Sequence, residues 1–459
     1  SHRIFRCFQE NFDDLQPVGF SCPFSGYDGY IVFEYGFKRP VSIPVQSFSR
    51  FGGFMLRIKD EADRCLNCKN PRCVAGCPVH TPIPQSIALF KLGKVNEAAR
   101  QLFDNNPLSL VCAIVCPHER QCEGHCVRGI KSTPVGWSEI EKYLSDTALD
   151  KMKIDIPAST GKHIAVIGGG PGGITAAVKL RQKGHEVTIF ESRSLLGGMM
   201  QYGIPEFRLP KSILRRYEKK LAEMGVNFRM HTAIGDALKI SDLQRDGYDA
   251  VLIASGLWRA KPLGIPGESL PNVCFGIHYL SSPDSFQIGE RLAVIGTGNT
   301  AMDVARTALH RGVEHVTMYA RSGRIAADEA EKELAELEGA AIETGMQISR
   351  ITSQGPMFKK CTLDEDGKVI SMEDEEVLEP ADFVIIAASQ GPKSKLINTT
   401  EGLEGTDKGL LKVDEKGMTT ADGVFAVGDV VYGGRTVVEA VRDAKNAAEA
   451  IDEYLKNKE

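Results

Sequence analysis

Eight of the twelve cysteines in this 459-residue chain fall between Cys65 and Cys126. They form two runs, Cys65-x2-Cys68-x4-Cys73-x3-Cys77-Pro78 and Cys112-x3-Cys116-Pro117-x4-Cys122-x3-Cys126. Thiols crowded in this way can act as disulfide staples, close round zinc, or hold iron–sulfur clusters. A large chain with locally clustered cysteines seldom uses them as staples. Zinc cages more often pair two Cys-x2-Cys units, and the histidines nearby lack a finger spacing. Beyond Cys126 only Cys274 and Cys361 remain, too far apart in sequence to be the close redox dithiol of a disulfide reductase.

Two glycine-rich turns supply a second kind of chemistry. Gly168-x-Gly170-x-x-Gly173 follows the apolar run "HIAVI" and opens the helical stretch "GITAAVKLRQKG". Glycines at this spacing permit a tight turn and let backbone N–H groups and a helix N-terminus approach a pyrophosphate. Taken alone, such a turn can be nothing more than a tight strand-to-helix connection. Glu191, at the end of the next strand, strengthens it, because a carboxylate there can accept hydrogen bonds from a ribose. The second turn, Gly296-x-Gly298-x-x-Ala301, repeats the arrangement. Aligning "EVTIFES" with "HVTMYAR" sets Ala320 against Glu191, with Arg321 and Arg324 following. Loss of the carboxylate and gain of two guanidiniums favour a 2′-phosphate, and so NADP(H) over NAD(H); the ordinary alternative is a solvated pair of surface arginines.

These residues need elements to hold them. "IPQSIALFKLGKVNEAARQLFDNN" and "WSEIEKYLSDTALDK" have helical apolar spacing round the cysteines, and "IDIPASTGK" reads as a linker. From His163 onward, short apolar strands alternate with helices, which predicts an α/β fold with doubly wound parallel sheets. The expected domains are an extension over 1–54, a helical cysteine-bearing domain over 55–158, a first nucleotide domain over 159–288 resumed at 390–459, and a second over 289–389. Residues 1–54 hold ten of the 20 phenylalanines and show no sustained periodicity. Gly52-Gly53-Phe54 can be encoded by bases that carry a ribosome-binding element just ahead of Met55, so Met55 is expected as the native start, with a packed aromatic extension as the alternative. A net charge of −5 offers no basic field for nucleic acid, and no apolar run approaches the ~20 residues of a membrane span, so a cytoplasmic protein is expected.

"TTADGVFAVGDVVYGGRTVVEAVRDAKNAAEAI" adds an apolar strand ending in Gly428-Asp429 and then a helix. It resembles the flavoproteins with two dinucleotide-binding domains, which implies FAD at the first turn, nicotinamide at the second, and the second domain inserted in the first. Ala444 stands where that helix ordinarily has glycine, which should narrow its approach to the flavin. Three close thiols and a fourth before proline resemble the bacterial ferredoxin run, in which the fourth serves another cluster. With "RCLNCKNPRCVAGCPVHTPIP", "NNPLSLVCAIVCPHERQCEGHCV", "GGMMQYGIPEFRLPK" and "GTGNTAMDVAR", the chain from about Arg57 resembles the small-subunit family of NADPH-dependent glutamate synthase. That family includes the N-terminal half of dihydropyrimidine dehydrogenase and the large subunit of the bifurcating NADH-dependent ferredoxin:NADP oxidoreductase.

The resemblance implies two 4Fe-4S clusters, one on Cys65, Cys68, Cys73 and Cys126, the other on Cys77, Cys116, Cys122 and Glu141. Cys112 has no ligand counterpart in the family and should be a small buried residue. Gly198 is implied beside the flavin, Arg208 beside the flavin or a cluster, and Asn299 and Thr300 beside NADP. NADPH would give hydride to FAD, and single electrons would leave through the clusters to a large catalytic subunit or a ferredoxin-type acceptor. Alternatives are a partner of dihydropyrimidine dehydrogenase type, a sulfur acceptor, or a docking subunit without turnover of its own.

Overall fold

A computed structural model describes residues 26–27, 30–33, 41–44 and 50–458, with side chains from residue 57 onward. Most of the 1–54 extension lies outside the described residues. Two compact units divide the chain at Asp60 and Glu61. The first contains three antiparallel strands, Gly26–Tyr27, Tyr30–Phe33 and Val41–Pro44, in that order. The helix Arg50–Asp63 carries the chain into the second unit.

The second unit begins with the cysteine region. Helices Ile83–Lys91, Val95–Asn105, Ser109–Val115 and Trp137–Ala148 pack there through apolar faces repeating every three or four residues. On the last of these, Trp137, Ile140, Glu141, Leu144 and Ala148 all point inward, so a carboxylate sits on a buried stripe. Val79, Leu108 and Val111 join one hydrophobic core with Ile164, Val166, Val441 and Ala444 of the region that follows.

From His163 the chain builds a five-stranded parallel sheet. Its order is Val424–Ala426, Ala250–Ile253, His163–Ile167, Glu186–Phe190 and Asn227–Arg229. Ala250–Ile253 is buried throughout, as a parallel strand covered on both faces should be. The helix Pro171–Gln182 packs against the final helix Val437–Asn457, with Gly172, Gly173, Ala176 and Ala177 keeping its surface low. At 21 residues the final helix reaches about 31 Å along its axis.

A second parallel sheet runs Ala340–Glu343, His315–Tyr319, Arg291–Ile295, Phe383–Ile386 and Val273–Phe275. The last of these corrects the expected boundary at 288. Val273–Phe275 pairs with Phe383–Ile386, so the second nucleotide domain begins some thirty residues earlier, after Arg259–Ala260. The chain enters through Arg259–Ala260 and leaves through Gln390–Gly391, and these two crossings pair antiparallel. An antiparallel meander, Met346–Thr352, Gly355–Leu363 and Val369–Leu378, decorates this domain. Among the described residues no helix is long and apolar enough to cross a membrane.

Candidate functional site

The thiols are delivered by short, irregular pieces. Cys73 rides the single turn Arg72–Ala75, and Cys77 follows it with its N–H on the Val74 carbonyl at 3.1 Å. Cys116 ends the helix Ser109–Val115, and Cys126 opens the 3-10 turn Val127–Ile130. Among the described residues no three Cys, His, Asp or Glu side chains close round one point as they would on a single ion. Instead Cys65, Cys68, Cys73, Cys122 and Cys126 line a common cavity. An iron–sulfur cube is wider than one ion and takes a separate thiolate at each corner, so four spaced thiols suit it.

The thiols also affect one another's protonation. Burial pushes the Cys73 thiol up to about 11, a hydrogen bond from the Val74 backbone opposes this, and Cys126, Cys65 and Cys68 add to the rise. Cys77 is raised by burial, against hydrogen bonds with Thr81, and by Glu141. Cys116 is raised first by its hydrogen bond with Cys112, then by burial, Glu141 and Cys122. For Cys122 burial leads, followed by Glu141, Glu123 and Cys77. The Glu141 side chain is only 5 % exposed. Burial, then Cys112, holds its carboxyl well above the usual range. Iron is the kind of charge that reverses this, since metal ligation draws protons off thiols and carboxyls. Cys112, set aside in the sequence, is thus a near neighbour of both Cys116 and Glu141.

The first glycine turn frames a cleft of about 620 Å3, its open mouth included, which Gly168, Gly170, Glu191, Gly198, Gly428 and Asp429 all line. Gly168 has φ +108°, and a Cβ there would sit 2.5 Å from the Ala254 carbonyl oxygen. Gly173 lies beneath, where a Cβ would fall 1.9 Å from the Gly168 oxygen. Gly198, at φ +53°, approaches Gly170 so closely that a Cβ would stand 2.8 Å from its Cα. The Glu191 carboxylate accepts the Gly169 and Arg193 backbone N–H groups, each at 2.8 Å, and is fixed at the cleft wall. Asp429 accepts the Arg435 N–H at 3.1 Å, and burial raises its carboxyl to about 6. Thr436, Val437 and Ala440, at the start of the final helix, close the far side, so its N-terminal dipole faces the cleft. Ala444 sits one turn deeper, fully buried in the shared core, while Ala440 is the residue on the cleft.

The second turn repeats this geometry. Gly296 has φ +127°, its N–H donates to the Tyr319 oxygen at 3.0 Å, and a Cβ would lie 2.6 Å from the Ala387 oxygen. Above Gly298 there is open space, with nothing within 4 Å of where a Cβ would be. Asn299 and Thr300 begin the helix Asn299–His310. Arg321 and Arg324 are exposed, and among the described residues they make no ion pair. That leaves both guanidiniums available to an anion.

Arg208 is engaged by the second domain. Its guanidinium grips Asp303 of the second domain at 2.7 and 2.9 Å and also bonds Glu331. Arg208 is not among the residues lining the cleft. Local sequence carries no sign of this pairing, because its partners lie 95 and 123 positions away.

A family model described as pyridine nucleotide-disulphide oxidoreductase matches residues 162–448. Another, described as dihydropyrimidine dehydrogenase domain II, 4Fe-4S cluster, matches residues 53–153. The NADPH glutamate synthase small chain of Azospirillum brasilense is 33% identical over 465 residues, covering 92% of this chain and 94% of that one. The NAD-dependent dihydropyrimidine dehydrogenase subunit PreT of Escherichia coli is 32% identical, covering 87% of this chain and 95% of its own. Among solved structures, FprA from Mycobacterium tuberculosis shares the fold, with a TM-score of 0.56 at 21% identity over 64% of this chain and 85% of that one. With its 4Fe-4S domain ahead of two nucleotide domains, the chain is an oxidoreductase that belongs to the family of the glutamate synthase small chains.

Proposed function

We propose that this chain oxidises NADPH and delivers the electrons singly, through two 4Fe-4S clusters, to a separate acceptor subunit. The observation that carries the reading is the course of the final helix. Val437 and Ala440 line the cleft of the first glycine turn, while Lys445, eight residues further on, is close enough to Cys77 for the two to interact electrostatically. From Ala440 to Lys445 the helix rises only about 8 Å, so one element links the cleft to the neighbourhood of Cys77. Bound FAD would supply the conversion of a hydride pair into single electrons that iron–sulfur centres can carry.

The chain's own residues do the rest. Gly168, Gly170 and Gly173, with the N-terminus of the helix Pro171–Gln182, would receive the FAD pyrophosphate, and Glu191 its ribose. Gly296, Gly298, Asn299 and Thr300 would bind the NADPH pyrophosphate, with Arg321 and Arg324 on the 2′-phosphate. Cys65, Cys68, Cys73 and Cys126 would hold one cluster, and Cys77, Cys116, Cys122 and Glu141 the other. Positioning, not acid–base chemistry, suffices for hydride transfer between stacked rings. Kinship with small chains and subunits supports a larger catalytic partner, and a ferredoxin-type protein is the other candidate acceptor.

Anaerobic NADPH should bleach the flavin absorbance of the purified chain, and iron analysis should give about eight iron atoms per chain. No bleaching would overturn the reading. Arg321→Ala should raise KM for NADPH about tenfold while leaving KM for NADH almost unchanged. Equal effects on both nucleotides would remove the 2′-phosphate role.

A further inference from the structure

Arg120 lies in the cysteine region, between Pro117 and Cys122, yet its partner belongs to the second nucleotide domain. Its Nη2 stands 2.6 Å from Asp328 Oδ1, with the Arg120 side chain 59 % and the Asp328 side chain 14 % exposed. Asp328 in turn is tied to Asn299 by a reciprocal pair. Asn299 Nδ2 donates to Asp328 Oδ2 at 2.7 Å, and the Asp328 N–H donates to Asn299 Oδ1 at 2.9 Å. Next to it, the Ala327 N–H donates to the Thr297 oxygen at 2.9 Å. The 327–328 segment therefore runs alongside the turn Gly296–Ala301, and both hydrogen-bonding ends of the Asn299 side chain are spoken for.

This places a carboxylate where an anion is expected to bind. Asn299 is the first residue of its helix, and Gly298 is the N-cap. A pyrophosphate received by those amides would meet the charge of Asp328 at close range, and like charges disfavour one another. Arg120 supplies the opposite charge at Asp328 Oδ1, leaving Oδ2 to hold Asn299.

We propose that Arg120 is a positioning residue for the nicotinamide dinucleotide: it cancels the charge of Asp328 and anchors it, so that Asn299 and the Gly296–Ala301 turn are set for an anionic ligand. The inference rests on the reading of that turn as the NADPH site. It makes the cysteine region a contributor to a site in another domain.

The test is calorimetric titration of NADP+ into the flavin- and iron-loaded chain, paired with steady-state kinetics. Arg120→Ala should weaken NADP+ binding about threefold to tenfold, with KM for NADPH rising in step and kcat little changed. Iron and flavin contents should match the wild type. Raised salt should shrink the difference, since the effect is one of charge. Arg120→Ala combined with Asp328→Asn should recover most of the affinity, and Arg120→Lys, which keeps the charge, should stay within about twofold of wild type. Unchanged NADP+ affinity in Arg120→Ala would overturn the proposal, as would equal weakening in the single and double variants. A wild-type chain that takes up no NADP+ would overturn the dinucleotide reading itself, and this inference with it. If Arg120→Ala loses iron, Arg120→Lys decides: normal iron with lost affinity would overturn the charge argument.

Discussion

Glu141 shows how one side chain can carry most of a functional argument. A carboxylate that is 5 % exposed is costly to keep unless something compensates its charge. Its neighbours are thiols, since Cys77, Cys116 and Cys122 are all raised by it. Iron shared between three such thiolates and a carboxylate would convert a costly pocket into a ligand set. Glu141→Ala should therefore lower the iron content from about eight toward about four atoms per chain, with FAD retained. Full iron content and two intact cluster signals by EPR would refute the assignment, and a comparable loss in Cys112→Ala alone would move the fourth ligand to that thiol. Glu141 came from the resemblance alone, yet its burial fits its place on the helix. Trp137, Ile140, Leu144 and Ala148 fall on one helical face, and Glu141 falls on it with them. Its thiol neighbours were not legible without a relative, because they come from three separate segments.

At the level of the elements, the two glycine turns look alike but tolerate change differently. A methyl group on Gly173 would collide with the Gly168 carbonyl, a backbone atom that cannot step aside. The same methyl on Gly298 meets open space. Gly173→Ala should thus cost the first domain its fold and its FAD, whereas Gly298→Ala should melt like the wild type while binding NADPH about tenfold more weakly. A normal melting curve and normal FAD content in Gly173→Ala would contradict this account, as would unimpaired NADPH binding in Gly298→Ala. Such turns are readable in sequence because a strand, three spaced glycines and a helix are all local. The strand Val273–Phe275 was missed because three residues carry no periodicity, and the domain boundary was misplaced as a result. The meander from Met346 to Leu378 escaped for a related reason. Its third strand is largely exposed and acidic, and its pairings are interrupted by irregularities near Lys359 and Thr362. Neither an alternating pattern nor an apolar run survives there.

Across the whole molecule, ion pairs fasten the second nucleotide domain at two places. Arg208 reaches from the first domain to Asp303 and Glu331. Arg306 extends the network to Glu331 and Glu338, and Phe207 stacks on His310 at 4.2 Å. Arg208 and Asp303 are only 15 % and 7 % exposed, so removing the cation strands a buried carboxylate. Arg208→Ala should lower the thermal midpoint by about 5 °C, and Arg208→Leu with Asp303→Leu should regain most of it. Calorimetry of the loaded protein checks both, and an unchanged midpoint in Arg208→Ala would mean that the pair holds nothing together.

The two strands Arg259–Ala260 and Gln390–Gly391 lie hydrogen-bonded side by side. Entry and exit of the second nucleotide domain therefore occur at almost one point in space, and the rest of the chain would be closed by a turn of a few residues if that domain were taken out. An insertion with its ends already joined is a cassette. A lineage could exchange it without breaking the first sheet. Its exchange would still have to keep partners for Arg120 and Arg208, cations that reach it from outside.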